Sequence, residues 1–279
     1  MGMLEFQVQS PLALMEWAIG HRPAAIVCDI DGTLAEIAPT PGEAKLAPGA
    51  RDALNRLIVL VDVVAVVSGR SAIDAALLID LPGVLVVGNH GFEWLQNGVR
   101  VADASVEPFI PAIEAALVEI GGQIALDPAL VGAIVENKAL SGSIHYRLTA
   151  DRDFSRLKLL ALAEVEADRY GLKVTEGRMV IELRPAIEIN KGVALRSIIA
   201  REQLKSMVFL GDDVTDIDGF RALTLMRNGL GFAGASIAVS DPEAKPEVIE
   251  AADTSVSGVP ACIELLKTLA DRLSDGSSR

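Results

Sequence analysis

Cysteine is nearly absent from this 279-residue chain, which has only Cys28 and Cys262, far apart in sequence. Two such residues read as free thiols in a reducing cytoplasm. Aromatic residues are also scarce, at 4%, although 51% of the chain is hydrophobic. The core must then be built from Ala, Val, Leu and Ile, which suits parallel strands covered by helices. Positive charge is short: 25 Lys and Arg stand against 38 Asp and Glu, a formal net charge of −13. That balance argues against nucleic acid or an anionic membrane as a partner, and requires a local cation cluster for any phosphate-bearing ligand. No apolar run approaches the roughly 18 residues of a membrane span. The stretch "PLALMEWAIG" is interrupted by Glu16 and lacks a preceding basic region, so no secretory signal is visible. Phe6 stands where a myristoylation signal needs Ser or Thr. A soluble, cytoplasmic protein is expected, with a disordered polar tail, "SDGSSR", and an apolar segment at 11–19 that packs on the core or against another chain.

What the chain does contain begins with "AAIVCDIDGT", residues 24–33. Ala24 to Cys28 is short, apolar and bounded by Pro23 and Gly32, the pattern of a buried strand. Because strand side chains alternate, Asp29 and Asp31 share one face if the extended geometry persists. Two carboxylates that close call for a metal, a shared proton or plain solvent. Further strands are predicted in "VDVVAVVSGR" and "GVLVVGNHG", with helices over 50–60 and 71–78. Strand and helix alternate, and polar residues gather where each strand stops, as in a doubly wound parallel sheet that binds ligands at its carboxyl ends. From about residue 94 the rhythm changes to a hairpin around Asn97-Gly98, a helix in 105–120, strands within 131–148, a helix across 153–170 and strands near 172–183. The parallel rhythm returns with "NKGVALRSIIA", "SMVFLGDD", a helix in 215–226, a strand near 236–239 and a closing helix in 259–271. The fold class is therefore α/β, a doubly wound core of residues 1–98 and 184–279 interrupted by an α+β unit of residues 99–183.

Four strand ends carry the chemistry: "DIDGT", "SGR" at 68–70, "NKG" at 190–192 and "GDDVTD" at 211–216. Asp29 and Asp31 beside Asp212, Asp213 and Asp216 would repel one another without a divalent cation, and hard oxygen ligands suit Mg2+. Ser68 and Lys191, with main-chain N–H groups around Gly32-Thr33 and Gly69, offer donors to a phosphoryl group, and Arg70 lies beside them. Taken singly, Lys191 reads as a first-turn residue of an exposed helix, and Asp213 or Thr215 as a helix cap.

The set resembles the haloacid dehalogenase-like (HAD) phosphohydrolases, whose four motifs occur in this order. The resemblance implies Asp29 as nucleophile, forming an aspartyl-phosphate, and Asp31 as general acid and base whose main-chain carbonyl also reaches the metal. Only 36 residues separate Asp31 from Ser68, whereas 122 separate Ser68 from Lys191, so the inserted unit occupies the second cap position of that superfamily. A cap there is typical of sugar-phosphate phosphatases and argues against a mutase.

Within the insertion, "VENKALSGSIHYR" and "MVIELRP" narrow the likeness, together with "GNHG", "LRPAIEINKG" and "GDDVTDIDGF". From about residue 22 to 270 the chain is similar to trehalose-6-phosphate phosphatases. The resemblance implies Mg2+-dependent hydrolysis of trehalose 6-phosphate, with Glu136, Lys138 and Glu182 contacting the distal glucose hydroxyls. His90, His145 and Arg147 are further candidates for lining the crevice; the last two are equally ordinary as outward-facing strand residues. Related substrates are glucosylglycerol phosphate, sucrose phosphate and mannosylglycerate phosphate, and a rival of another class is a non-catalytic regulatory subunit of a synthase. A functional pairing with a trehalose-6-phosphate synthase is expected. The chain departs from the family pattern at Ile217, in place of Glu, at Gly219, in place of Ala, and at Gly142.

Overall fold

The computed structural model describes residues 10–96, 98–240 and 245–276. Helix α1 (Pro11–Ile19) leads to strand β1 (Ala24–Cys28), helix α2 (Ala50–Ile58), strand β2 (Val63–Val67), helix α3 (Ala72–Ile79) and strand β3 (Val84–Gly88). A hairpin of β4 (Glu93–Gln96) and β5 (Val99–Ala102) follows. The next segment holds α4 (Ile110–Leu126), β6 (Ile134–Asn137), β7 (Gly142–His145), α5 (Arg152–Tyr170), β8 (Leu172–Gly177) and β9 (Val180–Pro185). The chain then runs through α6 (Lys191–Arg201), β10 (Ser206–Gly211), α7 (Ile217–Leu230), β11 (Ala233–Ser240), α8 (Pro246–Ala251), β12 (Thr254–Ser257) and α9 (Gly258–Gly276).

An eight-stranded sheet has the order β12-β11-β10-β1-β2-β3-β4-β5, parallel from β12 to β3 and antiparallel at its last two strands. Side-chain alternation divides the core. Ile26, Cys28, Val64, Val66, Val208 and Leu210 pack under α1, α2, α3 and α9, whereas Ala25, Val27, Ala65, Val67, Met207 and Phe209 pack under α6 and α7. Both faces are covered, which is why these strands read as unbroken Val, Ala and Ile runs rather than alternating ones.

The second sheet, β6-β7-β9-β8, is antiparallel. Its inner face meets α4 and α5 through Ile144, Ile181 and Leu183 against Ile113, Leu117, Leu159 and Ala163. Gly142 belongs to this inner face, where a Cβ would come within 2.5 Å of a Leu117 methyl, so the glycine makes room for α4.

Four expectations are corrected. The boundary placed after residue 98 falls inside the β4–β5 hairpin, and β5 belongs to the eight-stranded sheet; Asn97 itself lies outside the described residues. Strand β12 and helix α8 were not foreseen. The tail is helical through Gly276, while 277–279, like the first nine residues with Phe6, lie outside the described residues. Glu107–Leu126 is long and apolar enough to cross a membrane by length and composition, with a mean hydropathy of 1.5. In the fold, its Ile113, Ala116, Leu117 and Ile120 stripe packs against the second sheet. Segment 11–19 packs on the core through Leu14, Met15, Ala18 and Ile19.

Candidate active site

Strand β1 lies between β10 and β2 and is reached from one side by the first half of the chain and from the other by the second. The loops leaving these carboxyl ends splay apart, which opens a crevice at the switch in strand order. Asp29 follows β1 and is 5% exposed, with its main-chain N–H bonded to the Leu210 carbonyl at 2.9 Å. Asp29, Asp212 and Asp216 each bring a carboxylate oxygen within 4.8 Å of the others. Lys191, the first residue of α6 and 2% exposed, donates to Asp216 Oδ1 at 2.6 Å and stands 2.9 Å from Asp29 Oδ1. The other Asp216 oxygen accepts the main-chain N–H groups of Asp212 and Asp213 at 3.0 and 2.9 Å.

One ammonium does not balance three buried carboxylates. Burial pushes Asp29 up to about 7 against the pull of Lys191, with Asp216 and Asp31 adding to the rise. Burial and the charge of Asp29 likewise hold Asp212 well above the usual carboxylate range. Burial works against the Lys191 charge, but Asp216 and Asp29 outweigh it and raise its pKa. Asp212 Oδ1 accepts the Thr33 hydroxyl at 3.2 Å, while Oδ2 is buried without a hydrogen-bond partner and has Arg178 Nη1 at 3.7 Å. Gly32 faces that oxygen with φ +91°, and a Cβ there would overlap it. A buried orphan oxygen, a hard-donor set and surplus negative charge fit a divalent cation. Of the five predicted metal carboxylates the fold gathers three: Asp31 is held by Arg70, at 2.6 and 2.7 Å, and Asp213 caps the Val214 N–H at 2.7 Å.

Ser68, after β2, is buried and its Oγ accepts the Arg70 N–H at 3.2 Å. Arg70 serves Asp31 and the Pro41 carbonyl, at 3.0 Å, rather than an open phosphate position. The donors expected at Gly32 and Thr33 are already used, because their N–H groups bond to the Ala35 and Ile30 carbonyls at 2.7 and 3.3 Å. The Gly69 carbonyl accepts Lys138 Nζ at 2.9 Å.

Opposite these groups stands the outer face of the second sheet. Register places Glu136 beside Ser143, Ser143 beside Glu182, and Ile134 beside His145. Glu182, 5% exposed, accepts Lys138 Nζ at 3.2 Å and the Ser143 hydroxyl at 3.3 Å, and stands 3.0 Å from His90 Nε2. Burial alone would raise Glu182, yet His90 and Lys138 pull it well below the usual range. Burial pushes His90 down to about 4 although Glu182 resists. Neutral His90 therefore donates Nε2–H to the carboxylate. Glu136 contacts His145 Nε2 at 2.8 Å; burial opposes its charge, but His145 and Lys138 hold its pKa below the usual value. Arg147 lines the same crevice and donates to the Arg178 carbonyl at 3.3 Å. His145 and Arg147 thus face the crevice instead of turning away from it.

Sequence reading missed Arg178, on the β8–β9 turn one residue before the quoted "MVIELRP", and the Ile37–Pro41 loop, both of which line the crevice. A cation at a hairpin tip was the only signal. Ile217 is buried under the large sheet, and a Cβ on Gly219 would come within 2.6 Å of the Phe209 ring, so both departures concern packing of α7.

This architecture is that of the haloacid dehalogenase-like hydrolases. One of that description from Bacteroides thetaiotaomicron superposes with a TM-score of 0.60 over 88% of this chain and 99% of its own, at 16% identity, a likeness of fold alone. The pattern of the trehalose-phosphatase family matches residues 27–239, and the chain belongs to that family. A trehalose-phosphate phosphatase of Mycobacterium bovis is 36% identical over 216 residues, 75% of this chain and 53% of the relative. The chain spans about half the length of the curated relatives it matches. The C-terminal domain of a Candida albicans trehalose-6-phosphate phosphatase superposes with a TM-score of 0.75 at 22% identity, covering 93% of this chain and 96% of that domain.

Proposed function

We propose that this chain hydrolyses trehalose 6-phosphate to trehalose and phosphate. The observation that carries the reading is one crevice with two walls: Asp29, Ser68 and Lys191 on the large sheet, and Glu136, Lys138 and Glu182 on the small one. The family match and the mycobacterial relatives support the same substrate. The α+β unit, proposed as a cap, would read the sugar and exclude water.

Asp29 attacks phosphorus and the bond to the sugar oxygen breaks, with protonated Asp31 delivering its proton to that leaving oxygen. Water then attacks phosphorus and gives a proton to Asp31, the bond from phosphorus to Asp29 breaks, and phosphate leaves with the Asp29 carboxylate restored; Arg70 holds Asp31 in place through its ion pair. Lys191 offsets phosphoryl charge and Ser68 orients the group. Asp29, Asp212 and Asp216 would hold Mg2+, which when bound supplies Lewis-acid stabilisation of that charge. Arg178, His90, His145 and Arg147 border the sugar side. A synthase that makes the substrate by glucosyl transfer is the functional partner this reading expects.

The test is phosphate release with Mg2+ or EDTA across trehalose 6-phosphate, glucose 6-phosphate, sucrose 6-phosphate and glucosylglycerol phosphate. A preference of about 100-fold for trehalose 6-phosphate supports the reading, whereas equal rates discard the sugar assignment. Substantial turnover by Asp29→Asn would remove the nucleophile.

A further inference from the structure

Behind the crevice lies a polar network that the chemistry above does not use. Glu93, at the start of β4, is a fully buried carboxylate. Its Oε1 accepts the Ala72 N–H at 2.8 Å and Asn89 Nδ2 at 2.6 Å, and its Oε2 pairs with Arg100. Asn89 Nδ2 donates to the Lys138 carbonyl as well, at 3.4 Å, and Asn89 presents Oδ1 to the buried Ser141 hydroxyl at 2.5 Å. Ser141 closes the β6–β7 turn: its carbonyl accepts the Lys138 N–H at 3.0 Å, and the Lys138 carbonyl accepts the Leu140 N–H at 2.9 Å. The turn that carries Lys138 is thereby fastened to the loop after β3.

That loop is itself laced to the Ser68–Arg70 segment. Asn89 N–H donates to the Arg70 carbonyl at 2.7 Å and His90 N–H to the Ser68 carbonyl at 2.9 Å. Asn89 and His90 have φ values of +47° and +57°, and two successive left-handed residues other than glycine persist only where their surroundings over-determine them. Glu93 supplies that constraint, since its carboxylate fixes both the Asn89 amide and the first turn of α3.

We propose that Glu93 and Asn89 are positioning residues for sugar recognition, acting through Ser141 and the Lys138 carbonyl to set the distance between the Lys138 turn and the Ser68–Arg70 loop. Neither needs to touch the substrate. The linkage fixes the span between the phosphate held on the large sheet and the hydroxyls read by Lys138 and Glu182. It therefore governs discrimination between a disaccharide phosphate and a simple phosphate ester. The proposal rests on the sugar-phosphate reading above.

The test is Ser141→Ala, which removes one hydrogen bond and leaves every crevice residue in place. KM for trehalose 6-phosphate should rise about 3- to 10-fold, the worth of one buried hydrogen bond, with kcat nearly unchanged. Hydrolysis of p-nitrophenyl phosphate, which has no second sugar to span, should be unaffected. Equal losses on both esters, or a loss confined to kcat, would overturn the proposal. A second readout needs no sugar: amide hydrogen exchange should quicken at Lys138 and Leu140 and also across Asn89–Phe92, with α5 unchanged. Quickening limited to the turn would break the linkage. Should the unaltered protein cleave the small ester but not trehalose 6-phosphate, the substrate reading falls, and the exchange result alone decides the linkage.

Discussion

Gly32 and Asp212 occupy space that admits no side chain on the glycine: a Cβ at Gly32 would overlap Asp212 Oδ2. Gly32 also has φ +91°, which L side chains rarely adopt. Gly32→Ala should therefore push Asp212 out of the acidic cluster. Displacing a catalytic group by about 1 Å costs about 100-fold in rate, and kcat should fall at least that far. Terbium luminescence or calorimetric titration should show weaker cation binding in this variant; unchanged affinity would remove Asp212 from the metal set.

Lys191 is buried in the cluster and bonded to Asp29 and Asp216, while Arg178 reaches Asp212 at 3.7 Å. Breaking such a buried pair leaves uncompensated charge, at a cost of about 3–5 kcal/mol. Lys191→Met should melt well below the unaltered protein in EDTA. Mg2+ should raise its melting temperature more than it raises that of the unaltered protein, because the cation then meets the cluster without a competitor. Phosphate release should stay lost, since the donor to the phosphoryl oxygens is gone. Equal Mg2+ shifts in the two proteins would show that the cation binds elsewhere.

The legibility of this site differs residue by residue, and locality explains the difference. The run "AAIVC" forecast β1 because a strand buried on both faces is apolar throughout, and three of the four motifs fell at ends of large-sheet strands; "NKG" instead opens α6, with Asn190 as its cap. Asp29 and Asp31 do line one crevice, but only Asp29 joins the acidic cluster, because the chain leaves extended geometry at once: the Ala35 N–H bonds back to the Ile30 carbonyl at 2.8 Å, and Asp31 meets Arg70. Which carboxylate keeps which cation depends on loops 39 residues apart in sequence. Asn89 and Ser141 are 52 apart and carry no local period, so nothing in the sequence linked them. Strand β12, four residues long and half-exposed, has neither the length nor the apolar run that marks the central strands.

Glu182 joins the two walls of the crevice, receiving Lys138 and the Ser143 hydroxyl on one oxygen and facing His90 with the other. Glu182→Gln keeps the shape and removes the charge. Hydrogen bonds to charged groups contribute about 1.5–3 kcal/mol each, so kcat/KM for trehalose 6-phosphate should drop about 10- to 100-fold. Glucose 6-phosphate, lacking the distal ring, should lose far less. Parallel losses across both substrates would place Glu182 in the phosphate chemistry and not in sugar recognition.

His90 supplies a pH signature that can be isolated by subtraction. Burial holds it near 4 in the fold, against 6.5 for an ordinary imidazole; Glu182 favours its charged form, while Arg184 and Lys191 oppose it. Between those values the unfolded chain binds a proton that the native protein does not, so stability rises with pH across that window and falls on acidification. From pH 6.5 to 5 this one group should remove about 2 kcal/mol, at 1.36 kcal/mol per unit. His90→Gln retains a donor for Glu182 and cannot titrate. Urea unfolding of both proteins from pH 7.5 to 5 should give a difference that is flat above 7 and shrinks steadily below 6.5, as the unaltered protein alone is destabilised. A difference independent of pH would mean that His90 titrates alike in the folded and unfolded chain, and one that grows as pH falls from 7.5 to 6.5 would mean that His90 is protonated in the fold, paired as an ion with Glu182.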